Sequence, residues 1–292
     1  MRFIYAEAMT DPTFYLPLAQ AADAAGYDGM NVSDSIIYPR DSHADYPYTA
    51  DGTREFLENK DFPESFILIT AMGAVTSRIE FTPAVLKLPV RPPVLVAKQA
   101  ATIAFLTGDR LRLGVGSSPW PEDYAAMGVP WEGRGKRVSE AIDIIRGLTA
   151  GGYFSHHGEV YDLPAVKIRP VPTRPIPILV GGHSDAALRR AVRKGDGWIH
   201  AGGTREELDG LLGKLQTMLA AEDRGGRPFA IQVTSPEAFT PDGVRRLQDR
   251  GVNEVRVTFR NPYIQGEDPE PLAKKIENLE RYAADVIAKV NA

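Results

Sequence analysis

Two glycine-bearing segments carry the strongest chemical signals in the sequence. The first, Gly108 to Trp120, reads GDRLRLGVGSSPW. Gly114 and Gly116 flank the end of an apolar run. Having no Cβ, they let a ligand approach the backbone closely, or they simply relieve crowding where a strand ends. The spacing is not the dinucleotide fingerprint G-x-G-x-x-G, because Pro119 stands where the third glycine belongs. The second segment, Ile178 to Ala191, reads ILVGGHSDAALRRA. An apolar strand runs into Gly181-Gly182 and then to Ser184 at a helix start. Exposed N–H groups and the positive helix end make such a turn a natural phosphate site. The same residues also fit a plain serine cap on a glycine turn.

Other arrangements do not assemble into chemistry. His183-Ser184-Asp185 is contiguous, whereas a hydrolytic triad converges from separate elements, and no G-x-S-x-G elbow exists. His156 and His157, neighbours on a strand, point to opposite faces. With five histidines, no cysteine and no H-E-x-x-H, no catalytic metal is expected. The pairs Arg189-Arg190, Arg245-Arg246 and Lys274-Lys275 read as solvated helix faces.

The elements that must position these residues alternate. Short apolar runs at Arg2–Ala6, Gly29–Val32, Ile79–Leu88, Arg110–Val115, Ile176–Val180, Gly197–Ala201, Phe229–Val233 and Glu254–Phe259 read as strands. Helical patterns follow each: from Asp11-Pro12 to Gly26, then Glu64–Thr76, Pro93–Thr107, Arg134–Leu148, Asp185–Arg193, Arg205–Ala221, Pro241–Arg250 and Glu270–Val290. Eight strand–helix units joined by crossovers predict an α/β fold, a (β/α)8 TIM barrel, in one domain spanning 1–292. A doubly wound sheet is the rival and usually needs fewer strands. Two excursions stand out: a long loop over 34–63 and an insertion over about 150–177 before the fifth strand. The loop carries Tyr38, Tyr46, Tyr48 and Phe56 and reads as a substrate cover, or equally as an oligomer contact or flap. In a barrel the chemistry sits at the strand C-termini. That rule nominates Glu7, Asp34, Lys87, Gly116-Ser117, Gly181-Gly182-His183-Ser184, His200, Gly202-Gly203, Thr234-Ser235 and Arg260.

Composition narrows the function classes. Lys and Arg number 34 against 38 Asp and Glu, a formal charge of −4, so nucleic acid is not an expected partner. Hydrophobic residues at 43% and charged residues at 25% exclude a largely disordered chain. The absence of cysteine excludes disulfides and a thiolate nucleophile. Glu7 and Asp11 interrupt the opening stretch and no apolar run reaches about 18 residues, so neither a signal peptide nor a membrane helix is expected. A cytoplasmic location follows by default.

The run PPVLVAKQAATIAFLTGDRLRLGVG from Pro92, then Trp120, Glu122, Gly128, Arg134, Glu140 and Leu148, resembles the luciferase-like flavin and deazaflavin oxidoreductases. HGEVYDL at His157 to Leu163 and ILVGGHSDAALRRAVRKGDGW at Ile178 to Trp198 fit the same pattern. The resemblance is strong over residues 1–200 and weak beyond. It implies a TIM barrel with an insertion before strand 5 and one of two cofactors, coenzyme F420 or FMN. The stretch from Ser33 to Tyr48, with LKLPVRPP at Leu86 to Pro93, looks more like the F420-dependent branch.

The resemblance further implies an isoalloxazine-type ring beside Asp34 and the Leu86–Lys87–Leu88 strand end. A non-prolyl cis peptide is often found on that third strand. The phosphate would lie on Gly116-Ser117 and the Gly181, Gly182, His183, Ser184 turn. Ser35 stands where relatives often have His, and Ser117-Ser118-Pro119 departs from the usual G-x-G-W. The expected activity is hydride transfer between F420 and a small organic substrate, with Asp34, Glu7, His200 and Lys87 as candidates to hold or move a proton. The alternatives are an FMN-dependent monooxygenase served by a flavin reductase, and a barrel that carries a flavin-type cofactor without turnover. The Tyr-rich loop points to a partly apolar or aromatic substrate. Relatives of this kind are commonly dimers.

Overall fold

The computed structural model describes residues 1–41, 46 and 52–291. Nine parallel strand segments form one nearly closed sheet in the order β3-β2-β1-β11-β10-β9-β8-β5-β4. These are β1 (Arg2–Glu7), β2 (Gly29–Val32), β3 (Glu80–Pro83), β4 (Leu86–Lys87), β5 (Leu113–Gly116), β8 (Ile178–Gly181), β9 (Gly197–Ile199), β10 (Ala230–Val233) and β11 (Glu254–Val257). The segments β3 and β4 are two halves of one barrel strand, separated at Ala84-Val85, whose peptide bond is cis. β3 pairs with β2 on one side and β4 with β5 on the other. A parallel bridge from Phe81 to Leu111 closes the ring. The predicted eightfold α/β barrel is therefore present, with its third strand interrupted.

Helices wrap the barrel, and local sequence explains their ends. Helix α3 (Pro93–Thr107) opens on proline, whose missing N–H costs nothing at that position, and Gly108 at φ 66 ends it. Helix α6 (Asp185–Lys194) is capped by Ser184, whose Oγ accepts from Ala187 N at 3.2 Å. Thr204 and Glu207 form a reciprocal capping box at the head of α7 (Arg205–Ala221). The remaining barrel helices are α1 (Tyr15–Ala24), α2 (Ser65–Ala74), α5 (Arg134–Thr149), α8 (Pro241–Asp249) and α9 (Leu272–Tyr282). A short α4 (Pro121–Ala126) follows Trp120 and was not expected from the sequence.

The insertion contains an antiparallel hairpin of β6 (Phe154–His157) and β7 (Asp162–Val166). Glu140 on α5 clamps its turn, accepting from Glu159 N at 3.0 Å, Val160 N at 3.1 Å and Tyr161 N at 2.9 Å. Gly147 lets the hairpin dock, because a Cβ there would lie 2.2 Å from the Phe154 ring.

The outward faces of the strands build an apolar core with the helices, from Phe3 and Met30 to Val255. The inward face is partly polar. Arg112 meets Glu254 through two hydrogen bonds of 2.9 and 2.8 Å, both residues buried. Gln232 and Asn31 continue this chain upward.

Candidate active site at the barrel mouth

A cavity of about 340 Å³ opens at the C-terminal ends of the strands, where barrel chemistry resides. Glu7, Asp34, Lys87, Gly116, Ser117, Gly181, Gly182 and Ser184 all line it. Val85, on the cis peptide, forms one wall. A Cβ on Gly116 would sit 2.6 Å from Val85 Cγ2, and one on Gly181 would sit 2.8 Å from Val85 Cγ1. The two glycines thus seat Val85 between them.

Strand alternation decides which candidates face the cavity. Lys87 lines it, whereas its neighbours Leu86 and Leu88 are fully buried in the core. Ile199 and Ala201 line it, so the intervening His200 turns away. His200 is 1% exposed, its Nδ1 lies 3.2 Å from Thr234 O, and its ring stacks on His183 at 4.9 Å. Burial lowers its pKa to about 4, with His183 and Arg256 adding to the shift. His183 is likewise lowered by burial, and its Nε2 accepts from Ala201 N at 3.1 Å. Of the residues nominated from the sequence, His200, His183, Leu86 and Leu88 do not line the cavity.

The carboxylates are heavily engaged. Asp34 accepts from Lys87 N at 2.9 Å, Arg91 at 2.9 Å and Ser65 Oγ at 3.2 Å. Burial raises its pKa despite Arg91 and Lys87. It ties the end of β2 to β4 and to α2, a bracing role. Glu7 accepts from Tyr5 OH at 2.5 Å and meets Arg260 at 3.2 Å and Lys275 at 3.3 Å. Lys275 also meets Asp268 at 2.7 Å and is 1% exposed in its side chain. Reading Lys274-Lys275 as a solvated pair therefore fails for Lys275, whose partner Glu7 lies 268 residues away. Arg190 is also drawn inward, bonding Ser139 Oγ and Gly135 O, both at 3.1 Å.

Lys87 joins a second buried pair, with Nζ 2.7 Å from Asp123 and 4.8 Å from the Trp120 ring centroid. Ser118 donates to the same carboxylate. A small apolar cluster of Met9, Phe56, Leu57 and Trp120, with Tyr38, Tyr46 and Phe62 against it, roofs this side. Met9, Tyr46, Leu57, Phe62 and Trp120 line the cavity, so side chains of the 34–63 loop form part of its wall. Tyr48 lies outside the described residues.

Sequence reasoning missed Asn31, Ser33, Val85, Arg256, Thr258 and Tyr263, all of which line the cavity. Asn31 and Arg256 sit inside the barrel bore, and only the register of β2 and β11 would have revealed them. Arg256 is steered by Thr234 Oγ1, which accepts from its Nε at 2.8 Å. Among the described residues no group of three or more His, Asp or Glu is arranged to hold a metal ion.

A cavity of this size suits a small organic ligand with a few convergent polar groups. The α6 N-terminus at Gly182–Ser184 supplies an anion-favouring end.

The chain belongs to the luciferase-like monooxygenase family, whose model matches residues 5–284, a family of flavin- and deazaflavin-type oxidoreductases. It is 60% identical over 290 residues to an uncharacterised protein of Mycobacterium tuberculosis, covering 99% of this chain and all of that one. It is 30% identical over 243 residues to an F420-dependent glucose-6-phosphate dehydrogenase of Beutenbergia cavernae, covering 81% of this chain and 67% of that one. Among solved structures, a monooxygenase from Streptomyces bottropensis matches with a TM-score of 0.78 at 17% identity, covering 99% of both chains.

Proposed function

We propose that the barrel mouth binds coenzyme F420 and that the protein transfers hydride between it and a small organic substrate. The cavity bounded by Val85, Gly116, Gly181 and the α6 N-terminus carries this reading, and the 30%-identical F420-dependent relative supports it. When bound, a deazaflavin supplies two-electron hydride chemistry, and the protein orients and tunes it. Gly116-Ser117 and the Gly181–Ser184 turn would hold the phosphate. Lys87 and the strand end it occupies would flank the ring, and Asp34 would keep that strand end in place. Glu7, positioned by Arg260 and Lys275, would present its carboxyl group at the mouth. The roof of Tyr46, Phe62 and Trp120 would exclude water and favour a partly apolar substrate.

A second reading, an FMN-dependent monooxygenase supplied by a flavin reductase, is favoured by the monooxygenase of similar fold. A non-catalytic cofactor carrier is the third. Hydride turnover with any donor excludes the carrier, and spectral titration with each cofactor separates the other two.

The chain would act as one unit, in the cytoplasm; among the described residues no helix is long and apolar enough to cross a membrane. The outer faces of α2 and α3 bear Ile67, Leu95, Phe105 and Leu106, each more than half exposed. On α3, Leu95 and Leu106 lie about three turns apart on one helix face, with Phe105 on the adjoining side. Adjacent helices with a joint apolar face of this kind fit a second copy of the chain, a homodimer.

A further inference from the structure

We propose that Asn31 is a specificity-determining acceptor at the cavity floor, its Oδ1 taking an N–H or O–H donor of the bound molecule. The proposal rests on the reading that the cavity binds an organic cofactor and substrate, and extends it to the polarity of one contact.

A chain of buried polar groups lies below the cavity. Glu254 receives both terminal nitrogens of Arg112, at 2.9 and 2.8 Å. Burial pushes the Glu254 pKa up, but Arg112, Gln232 and Arg2 outweigh it and hold the carboxyl below its ordinary range. An ionised carboxylate only accepts hydrogen bonds. Gln232, fully buried beside it, must therefore turn its NH2 group downward, and Nε2 donates to Glu254 at 3.0 Å. The Gln232 Oε1 then faces upward and accepts from Asn31 Nδ2 at 2.6 Å. The order of donors and acceptors is thereby set by charge, even though amide oxygen and nitrogen look alike. Reversing either amide would set oxygen against oxygen.

What remains at the top is Asn31 Oδ1. Asn31 is 2% exposed and lines the cavity, and among the described residues this oxygen has no hydrogen-bond partner. A buried acceptor left unmatched is costly, and a bound donor relieves that cost. The class of group is defined: an imide, lactam or amide N–H, or a hydroxyl. A carbonyl or carboxylate oxygen in the same place would meet a lone pair. Two sources offer such a donor. One is the imide N–H on the pyrimidine edge shared by flavin and deazaflavin rings; the other is the hydroxyl of an alcohol substrate.

Binding without turnover tests this. Dissociation constants for FMN, N3-methyl-FMN and F420 are measured by fluorescence on wild-type protein and Asn31→Ala. If the ring is the donor, N3-methylation weakens wild-type binding at least tenfold, and Asn31→Ala loses that discrimination. If the substrate is the donor, cofactor binding is indifferent to both changes. Thermal shifts with cyclohexanol and cyclohexanone on the cofactor-loaded protein then favour the alcohol in wild type and show no preference in Asn31→Ala. Should neither cofactor bind wild-type protein, the cofactor reading fails, and the alcohol–ketone comparison on the bare protein still tests Asn31. Discrimination absent from both arms, or persisting unchanged in Asn31→Ala, overturns the proposal. Asn31→Ser, which is too short to keep the amide acceptor in place, serves if the alanine variant does not fold.

Discussion

Replacing Gly116 by Ala should damage both stability and cofactor affinity, and replacing Val85 by Ala should repair much of the damage. The new Cβ would lie 2.6 Å from Val85 Cγ2, about 1 Å inside the normal carbon–carbon contact distance. Gly116 sits on β5, paired with Lys87 of β4, so the backbone has little freedom to retreat. Overpacking of this kind costs about 1–3 kcal/mol. Val85 is only partly buried and lines the cavity, so its easiest escape is into the space a ring would use. A loss of about 1.4 kcal/mol in binding corresponds to a tenfold weaker Kd. Urea unfolding and fluorescence titration are run on wild type, Gly116→Ala, Val85→Ala and the double variant. The expected result is a coupling energy of at least about 1 kcal/mol, with the double variant more stable than Gly116→Ala. Additivity within about 0.5 kcal/mol would refute the reasoning. It would show that Gly116 is glycine for the sake of a ligand's approach, the other meaning its sequence context allowed.

Four further outcomes follow from the same geometry. Glu254→Ala leaves buried Arg112 with the longer Glu80 contact at 3.9 Å in place of two short hydrogen bonds and should destabilise by about 3–5 kcal/mol in urea, while a joint Arg112→Met, Glu254→Leu replacement should cost less. His200 is held neutral, its folded value of about 4 lying below the ordinary 6.5. Its contribution is complete above pH 6.5 and is lost as pH falls towards 4, about 3 kcal/mol at about 1.4 kcal/mol per unit; His200→Gln should flatten that part of the stability–pH curve. Glu140→Ala should release the β6–β7 turn, so hydrogen exchange at residues 159–161 should accelerate at least tenfold while the barrel strands remain protected. Phe105→Glu with Leu106→Glu should convert a dimer into a folded monomer by light scattering, and an unchanged mass would exclude the α2–α3 face.

Much of the architecture was legible because it rests on local pattern. Eight apolar runs and their alternating helical segments state a parallel barrel directly, and Ser184 and Gly108 mark helix ends by type alone. The interruption of the third strand at Ala84-Val85 was visible only as a family habit, since nothing in those two residue types demands a cis bond. The site was half legible for a geometric reason. Positions at strand ends can be read from the sequence, but the face each side chain takes depends on register: Lys87 enters the cavity while Leu86 and Leu88 do not, and His200 turns outward between Ile199 and Ala201. Pairings across the whole chain, such as Glu7 with Lys275 and Arg112 with Glu254, leave no local trace. That is why Lys275 looked like a surface residue and Asn31 carried no signal.

The central claim is that this cavity takes a deazaflavin. Its most direct test is titration of the purified protein with F420 and, separately, with FMN, followed by the change in absorption and fluorescence of each. The account predicts saturable, one-to-one binding of F420, tighter than that of FMN and weakened by replacing Ser184 or Gly116. Binding of FMN with none of F420 would contradict it.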